Sequence, residues 1–448
     1  MADPISRIDI DWEAVAAESA TLLSQYLQFD TSNPPGNERP ALDFLAQILR
    51  ERGFEPTIIQ SAPRRGNLIV RLPASGPAQA APCLLYTHAD VVPVNAAAWT
   101  CPPFSGQISD GYVWGRGALD NKGQGIIFLQ ALTLLKQHCS SRRRDFILLV
   151  GADEEATGHF GAAWMLKHRP DLIKAEFVWD EGGVVLHRPD TNQYIYHIAT
   201  VEKGVLTVKV TARGHPGHAS IPQSNSPPDR LVQALSRIRW WYHTLKLTEI
   251  PIKMLKILAG HHSFPRSVLY AHADKAIFHP LLLRLLDKDP IFAPIIRNTV
   301  SLTMLQSGQI SNVIPAQAEA RLDIRLLPGE NPEAVLAALR SLVADPHVSV
   351  EFVEYPVMSR PSPVNSDFYR ALQHTLPALG PSGPVIPYLT PGATDSRYFR
   401  QAGMQAYGFT PMILDPYELR RIHSVDERVS VENLRWGTRL VFETLRKL

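Results

Sequence analysis

Cysteine is scarce. The 448 residues hold three, Cys83, Cys101 and Cys139, with no CxxC pair among them. That argues against a disulfide framework and against a thiolate zinc site, and it fits a reducing compartment. Net charge is nearly absent as well, since 45 basic residues meet 43 acidic ones for +2. No global field recruits a polyanion, so nucleic acid is not an expected partner. Long apolar runs are missing too: nowhere do 18 apolar residues follow one another without charge. The opening Met1-Ala2-Asp3-Pro4-Ile5-Ser6-Arg7-Ile8-Asp9 carries acids early and no apolar stretch of signal type. A cytoplasmic protein, neither exported nor bound to a membrane, is the expectation. Internal repeats and low-complexity tracts are also lacking.

What is present is ordinary globular composition, 45% apolar and 20% charged, in a chain long enough for two or three domains at roughly 150 residues each. Apolar residues recur at three and four from Trp12 to Gln28 and from Ala41 to Arg52, so two amphipathic helices open the chain. The segment between them, Thr31-Ser32-Asn33-Pro34-Pro35-Gly36-Asn37, reads as a loop. Apolar runs of strand length follow, Asn67 to Leu72, Cys83 to Tyr86, Phe146 to Val150 and Phe177 to Trp179. They alternate with helical patterns at Gly123 to His138 and Gly161 to Lys167. That alternation predicts an α/β architecture with a buried, mostly parallel sheet flanked by helices. The basic cluster Arg142 to Arg144 reads as a solvated loop without function.

Near Glu202 the texture changes. Val205 to Thr211 and Glu319 to Arg325 alternate apolar with polar, as half-exposed strands do, around helical stretches at Pro228 to Trp241 and Asn331 to Val343. This predicts a smaller α+β unit inserted at 202–360, with an extra helical segment at about 242–300. The α/β part then covers 1–201 and 361–448. In its second part a helix starts from Ser366, a Gly/Pro loop lies at Thr390 to Thr394, and a last helix capped by Ser430 runs to Leu448.

Ligand-type residues cluster at the ends of apolar runs. Leu84-Leu85-Tyr86-Thr87-His88-Ala89-Asp90 ends in His-x-Asp, where residues two apart share a side of an extended chain. Asp90 can then accept the second ring proton of His88. Taken alone, so short a pattern reads rather as a strand-end histidine beside a solvated acid. Gly115-Arg116-Gly117-Ala118-Leu119-Asp120-Asn121-Lys122-Gly123 is a glycine-rich loop before a helix, with neither GxGxxG nor GxxxxGK[ST], so it is not a phosphate cradle. Its plain reading is a helix start with Asp120 facing the dipole. Asp153-Glu154-Glu155 follows a very apolar strand, where three acids are costly unless solvated, protonated or bound to cations. Phe177-Val178-Trp179-Asp180-Glu181 repeats the scheme, and His423 stands in a polar loop that alone would be called surface. Each fragment is weak, and no spacing rule says that they converge.

Together these segments resemble the zinc peptidase family of aminoacylase-1, carboxypeptidase G, carboxypeptidase S and succinyl-diaminopimelate desuccinylase, over nearly the whole chain. The intervals are most similar to the carboxypeptidase S and N-acyl amino acid hydrolase branch. The resemblance implies two Zn²⁺ per subunit, with Co²⁺ or Mn²⁺ as substitutes. His88 and Asp180 would hold one metal, Glu155 and His423 the other, with Asp120 bridging, Asp90 orienting His88 and Glu154 as general base. Many relatives use a glutamate where Asp180 is placed, and Glu181 is adjacent, so a one-residue shift exchanges them.

The same resemblance makes the inserted unit a lid and dimerisation domain. There Arg213-Gly214-His215-Pro216-Gly217-His218-Ala219-Ser220 implies His218 as an oxyanion donor reaching a neighbouring subunit of a homodimer. Asn312 and Arg325 are similar to the family's substrate-binding pair, and Gly392-Ala393-Thr394-Asp395-Ser396-Arg397 to the loop that receives a substrate carboxylate, through Gly392, Thr394 and Arg397. The implied activity is hydrolysis of an amide next to a free carboxylate, in a small-molecule substrate such as an N-acyl amino acid or short peptide. A dipeptidase or precursor deacylase on the same site is the alternative, and a relative that binds without turnover is the non-enzymatic one.

Overall fold

The computed structural model describes residues 8–239, 244–358 and 360–448. The first seven residues of the chain opening, and Trp240 and Trp241 at the end of the expected helix Pro228 to Trp241, lie outside them. The chain forms two compact units. One comprises Met1–Thr200, Ser362–Pro387 and Thr394–Leu448, the other Val201–Pro361 and Tyr388–Ala393. Among the described residues no helix is long and apolar enough to cross a membrane.

The first unit is built on a ten-stranded mixed sheet with helices packed against it. Its centre is a parallel block in the order Phe146–Gly151, Cys83–His88, Phe177–Asp180, Gln405–Gly408. Every residue of Cys83–His88 and Phe146–Gly151 is buried, which is why these strands read as continuous apolar runs rather than alternating ones. Antiparallel strands flank the block: Arg65–Leu72 and Thr57–Ala62 on one side, the hairpin Val185–Arg188 with Gln193–Glu202 on the other. The helix Lys122–His138 is buried from Lys122 to Leu135, with Phe128 edge-on to Trp179 at 5.7 Å. Trp12–Leu27, capped by the Asp11 carboxylate, and Val431–Leu445, capped by the Ser430 hydroxyl, pack on it.

One sequence expectation, the solvated cluster Arg142 to Arg144, fails at Arg144 alone; Arg143 is exposed and Arg142 half-exposed. Arg144 is buried, donating to Leu448 O at 3.1 Å, Ala81 O at 3.1 Å and Glu176 at 3.1 Å. Three carbonyl and carboxylate acceptors and the Phe177 ring replace the water that an arginine cluster otherwise keeps.

The second unit has a four-stranded antiparallel sheet, in the order Thr299–Ser307, Gln317–Leu326, Gly204–Arg213, Val348–Phe352. Leu206, Val208, Val210 and Ala212 alternate inward beneath the helices Pro227–Ile238 and Pro332–Val343. The extra segment is helical at Glu249–Leu258, Arg266–Ala271 and His279–Leu286. Buried Lys203 ties its return to the sheet, donating to Pro294 O, Arg297 O and Thr299 Oγ1 at 2.9–3.0 Å.

Candidate metal centre and active site

His88 closes the strand Cys83–His88 in register with Gly151 of the neighbouring strand. Strands that stop together present side chains beyond their carboxyl ends, where open α/β sheets place sites. The imidazole is fully buried, with Nδ1 2.9 Å from the backbone carbonyl oxygen of Asp90 and 3.6 Å from its carboxylate Oδ1. A carbonyl only accepts, so Nδ1 carries a proton and Nε2 faces the acids. The sequence reading assigned that orienting contact to the Asp90 side chain. The carboxylate, 3.6 Å from that nitrogen, also receives the backbone N–H groups of Glu154 and Glu155, both at 3.1 Å, and Asn33 Nδ2 at 2.8 Å. Asp90 thereby positions both glutamates.

Nε2 of His88 is 3.1 Å from Asp120 Oδ1, and Nε2 of His423 is 3.1 Å from Asp120 Oδ2. Asp120 thus offers one oxygen to each histidine. His423 also meets Glu155 Oε2 at 3.0 Å. The loop that carries it has left-handed backbone at His423 itself, with φ +59°. Ligand atoms of His88, Asp120 and Glu155 lie within 4.8 Å of one another, as do those of His88, Glu154 and Glu181. Glu181, not Asp180, is the acid beside His88, with Oε1 3.5 Å from Nε2 and Oε2 accepting from Asn121 at 2.9 Å. Asp180 accepts from the Ser396 hydroxyl at 2.7 Å, the Thr394 hydroxyl at 3.3 Å and the Glu181 backbone N–H at 2.8 Å. The reason is local. Phe177–Asp180 ends at Asp180, whose side chain lies over the turn at Thr394, so the next residue projects to the cluster.

The electrostatics suit bound cations. Burial pushes Glu154 well above the usual carboxylate range, with the charge of Glu181 next in size, and burial followed by Asp120 raises Glu181 to about 8. Burial opposes ionisation of Asp120, yet hydrogen bonds from His423 and His88 hold it well below its ordinary value. Hydrogen bonds to Asp120 and Glu155 raise His423 to about 10. The acids thus demand positive charge at the two Nε2 positions. Glu155 Oε1 is buried with no hydrogen-bond partner among the described residues. An unsatisfied carboxylate oxygen beside two imidazoles and further carboxylates is a donor set that fits Zn²⁺.

Sequence reasoning missed what supports this cluster. Asn33, in the segment read as a plain loop, bridges Asp90 and Asp153, donating to Asp153 Oδ1 at 3.0 Å. Asp153 has left-handed backbone, φ +69°, and its carboxylate accepts from Arg65 at 2.9 Å, His159 N at 2.9 Å and the Thr157 hydroxyl. Tyr86 donates to Asp395, whose pKa burial raises to about 6. The three-acid run was the signal available for Asp153; none existed for Asn33 or Arg65.

The remaining expected residues divide between the units. In the first, Arg397 donates to Thr394 O at 2.9 Å and lies over the Tyr398 ring at 4.5 Å. In the second, His218 sits on the two-residue strand Gly217–His218 opposite Val313, next to Asn312, whose carbonyl accepts from Ala219 N at 3.0 Å. Ser220 N donates to His218 Nδ1 at 3.1 Å. Arg325 donates from Nε and Nη2 to Asp323, at 2.7 and 3.0 Å, and Gly392 belongs to the short Tyr388–Ala393 piece.

Residues 84–447 match the model of peptidase family M20/M25/M40. The chain is 32% identical over 374 residues to the N-fatty-acyl-amino acid synthase/hydrolase of Mus musculus, covering 82% of this chain and 74% of that protein. It is 28% identical over 419 residues to aminoacylase-1 of Homo sapiens, covering 92% and 90%. Among solved structures, an M20 family metallo-carboxypeptidase from Sulfolobus solfataricus superposes with a TM-score of 0.73 at 20% identity, over 96% of this chain and 98% of that one.

Proposed function

Since the chain belongs to peptidase family M20/M25/M40 and is a hydrolase of amide bonds, we propose that it uses two zinc ions to cleave an amide next to a free carboxylate, in N-acyl amino acids. The observation that carries this reading is Asp120, with one carboxylate oxygen 3.1 Å from each of two histidine nitrogens. His88 and Glu181 would hold one ion and Glu155 and His423 the other, with Asp120 offering an oxygen towards each histidine. Glu181, the alternative one residue along, is preferred to the Asp180 that the resemblance implied, because its Oε1 is 3.5 Å from His88 Nε2. Cobalt or manganese can stand in for zinc, since the donor set is imidazole and carboxylate.

When bound, the metal ions supply Lewis acidity towards a carbonyl and lower the pKa of water from 15.7 to about 7. Glu154 is the general base: it takes the proton of the attacking water and returns it to the leaving amine. Its raised affinity for a proton supports that role. Asp90 fixes Glu154 and Glu155 by their backbone N–H groups and orients His88 through its carbonyl. Arg397, with Thr394 and Gly392 of the same loop, receives the substrate carboxylate, because a guanidinium pairs with a carboxylate through two parallel bonds. His218 of the second unit serves as oxyanion donor to the site of a neighbouring subunit, and Asn312 as a substrate contact. Arg325, whose Nε and Nη2 meet Asp323 on the same strand, is a further substrate contact in this reading.

The acyl group follows the first relative, whose substrate class is a fatty-acyl amino acid. A homodimer through the second unit is supported by the edge strand Thr299–Ser307, which exposes Leu302, Met304 and Leu305. Three free cysteines favour the cytoplasm. A hydrolysis screen over N-acyl amino acids and dipeptides, with and without chelator, tests the reading. Chelator-sensitive release of amino acid from N-acyl substrates is expected; activity confined to dipeptides transfers the site to a dipeptidase, and activity indifferent to chelator removes the metals.

A further inference from the structure

The glycine-rich segment Gly115 to Gly123 does build an anion cradle, and its occupant is part of the same chain. Glu427 is fully buried. Its Oε1 accepts the backbone N–H groups of Leu119 at 2.7 Å and Asp120 at 3.0 Å, and its Oε2 accepts Gly117 N–H at 3.0 Å and Arg116 Nη1 at 2.5 Å. Convergent backbone N–H groups just ahead of a helix form a concavity for negative charge, and charge-assisted bonds are the stronger kind. Gly117 has φ +92°, where a side chain is strained and would also meet Val91 at 2.9 Å, so glycine there is a condition of the cradle.

Two links make the contact more than local. Gly115 N–H donates to Glu427 O at 2.9 Å, and Arg116 Nη2 donates to Ser424 O at 2.9 Å. The cradle carries Asp120 on one side, and Ser424 directly follows His423 on the other. Downstream, Arg428–Ser430 pairs antiparallel with Tyr112–Trp114, so the two loops are held in register by a ladder as well.

We propose that Glu427, with Arg116, is a positioning residue for the metal centre: it locks the loop of Asp120 to the loop of His423, so both ligands are aimed before an ion arrives. The inference rests on the two-cation reading above. It assigns a role to two buried charges that the reaction itself does not use. Supporting groups of this kind typically change metal affinity by about 10- to 100-fold.

Competition of the full-length chain against a chromophoric chelator for Zn²⁺ tests it. Glu427→Gln keeps the shape but turns an amide donor towards backbone N–H groups. Its zinc affinity is expected to fall about tenfold or more, with kcat restored by saturating zinc. Arg116→Lys keeps the charge and removes the fork that reaches both Glu427 and Ser424, and is expected to weaken zinc binding in the same direction. Unchanged zinc affinity in a folded Glu427→Gln protein overturns the proposal, as does a lost kcat that saturating zinc leaves low. Should Glu427→Gln fail to fold, Arg116→Lys decides: weaker zinc binding supports the lock and wild-type binding overturns it. A wild-type chain that binds no zinc strikes instead at the two-cation reading.

Discussion

The Arg65 guanidinium lies 2.9 Å from the Asp153 carboxylate and 2.6 Å from that of Glu38, with all three side chains buried. The same Asp153 oxygen accepts from Asn33, whose amide also holds Asp90. Removing the cation leaves two buried carboxylates without a counter-charge, which costs about 3–5 kcal/mol for a broken buried pair. Arg65→Met is therefore expected to lower stability by that amount in denaturant unfolding, and to lower kcat because Glu154 follows Asp153 directly. A variant as stable as the wild type would remove the network from any structural role.

Glu154→Gln keeps the size of the side chain and removes the base. Two bound metals should survive by elemental analysis, while kcat falls by about 10²- to 10⁴-fold, the usual contribution of a positioned proton acceptor. Turnover near the wild-type rate would refute the assignment.

Asp180 and Glu181 are separated by zinc stoichiometry. Glu181→Gln is expected to lose about one of two zinc ions, because its Oε1 lies 3.5 Å from His88 Nε2. Asp180→Asn should keep both while loosening the Thr394 and Ser396 turn. The opposite pattern would return the ligand role to Asp180.

Acid stability should depend on His197, whose pKa burial lowers to about 4. Its unfolded value is near 6.5, so between pH 6.5 and 4 the unfolded chain binds the extra proton and stability falls with pH. The slope from this group is about 1.4 kcal/mol per pH unit. The folded form is favoured fully above pH 6.5. His197→Gln should flatten the fall across that window in chemical denaturation at graded pH. An unchanged slope would show that other groups cause it.

If the second unit dimerises through its edge strand, light scattering of the wild type should report roughly twice the 49.9 kDa chain mass, and Leu305→Lys should reduce it to one. A monomeric wild type would end that reading.

Much of the fold was legible because burial leaves marks in the sequence. Two-sided burial made Cys83–His88 and Phe146–Gly151 continuous apolar runs, and one-sided burial made Gly204–Arg213 alternate. The hairpin Val185–Arg188 with Gln193–Glu202 was not read; its turn Pro189-Asp190-Thr191-Asn192 is a plain signal, but it joins strands of mixed polarity. Acids after apolar runs exposed the ligand candidates. Which of Asp180 and Glu181 faces the cluster depends on where a strand stops, and residue order is silent on that. The cradle around Glu427 was invisible because its donors are peptide N–H groups, which every residue but proline possesses.

The first and last helices touch: Trp12 and Phe442 meet at 6.0 Å, and Arg435 pairs with Glu13 at 2.7 Å. A ribosome therefore emits the opening helix long before the surface that covers it. Until the segment Val431–Leu445 emerges, Trp12 lacks the Phe442 ring that it meets, and His423 is made only shortly before. The ligand cluster is therefore complete only late in synthesis, once His423 can meet Asp120 and Glu155.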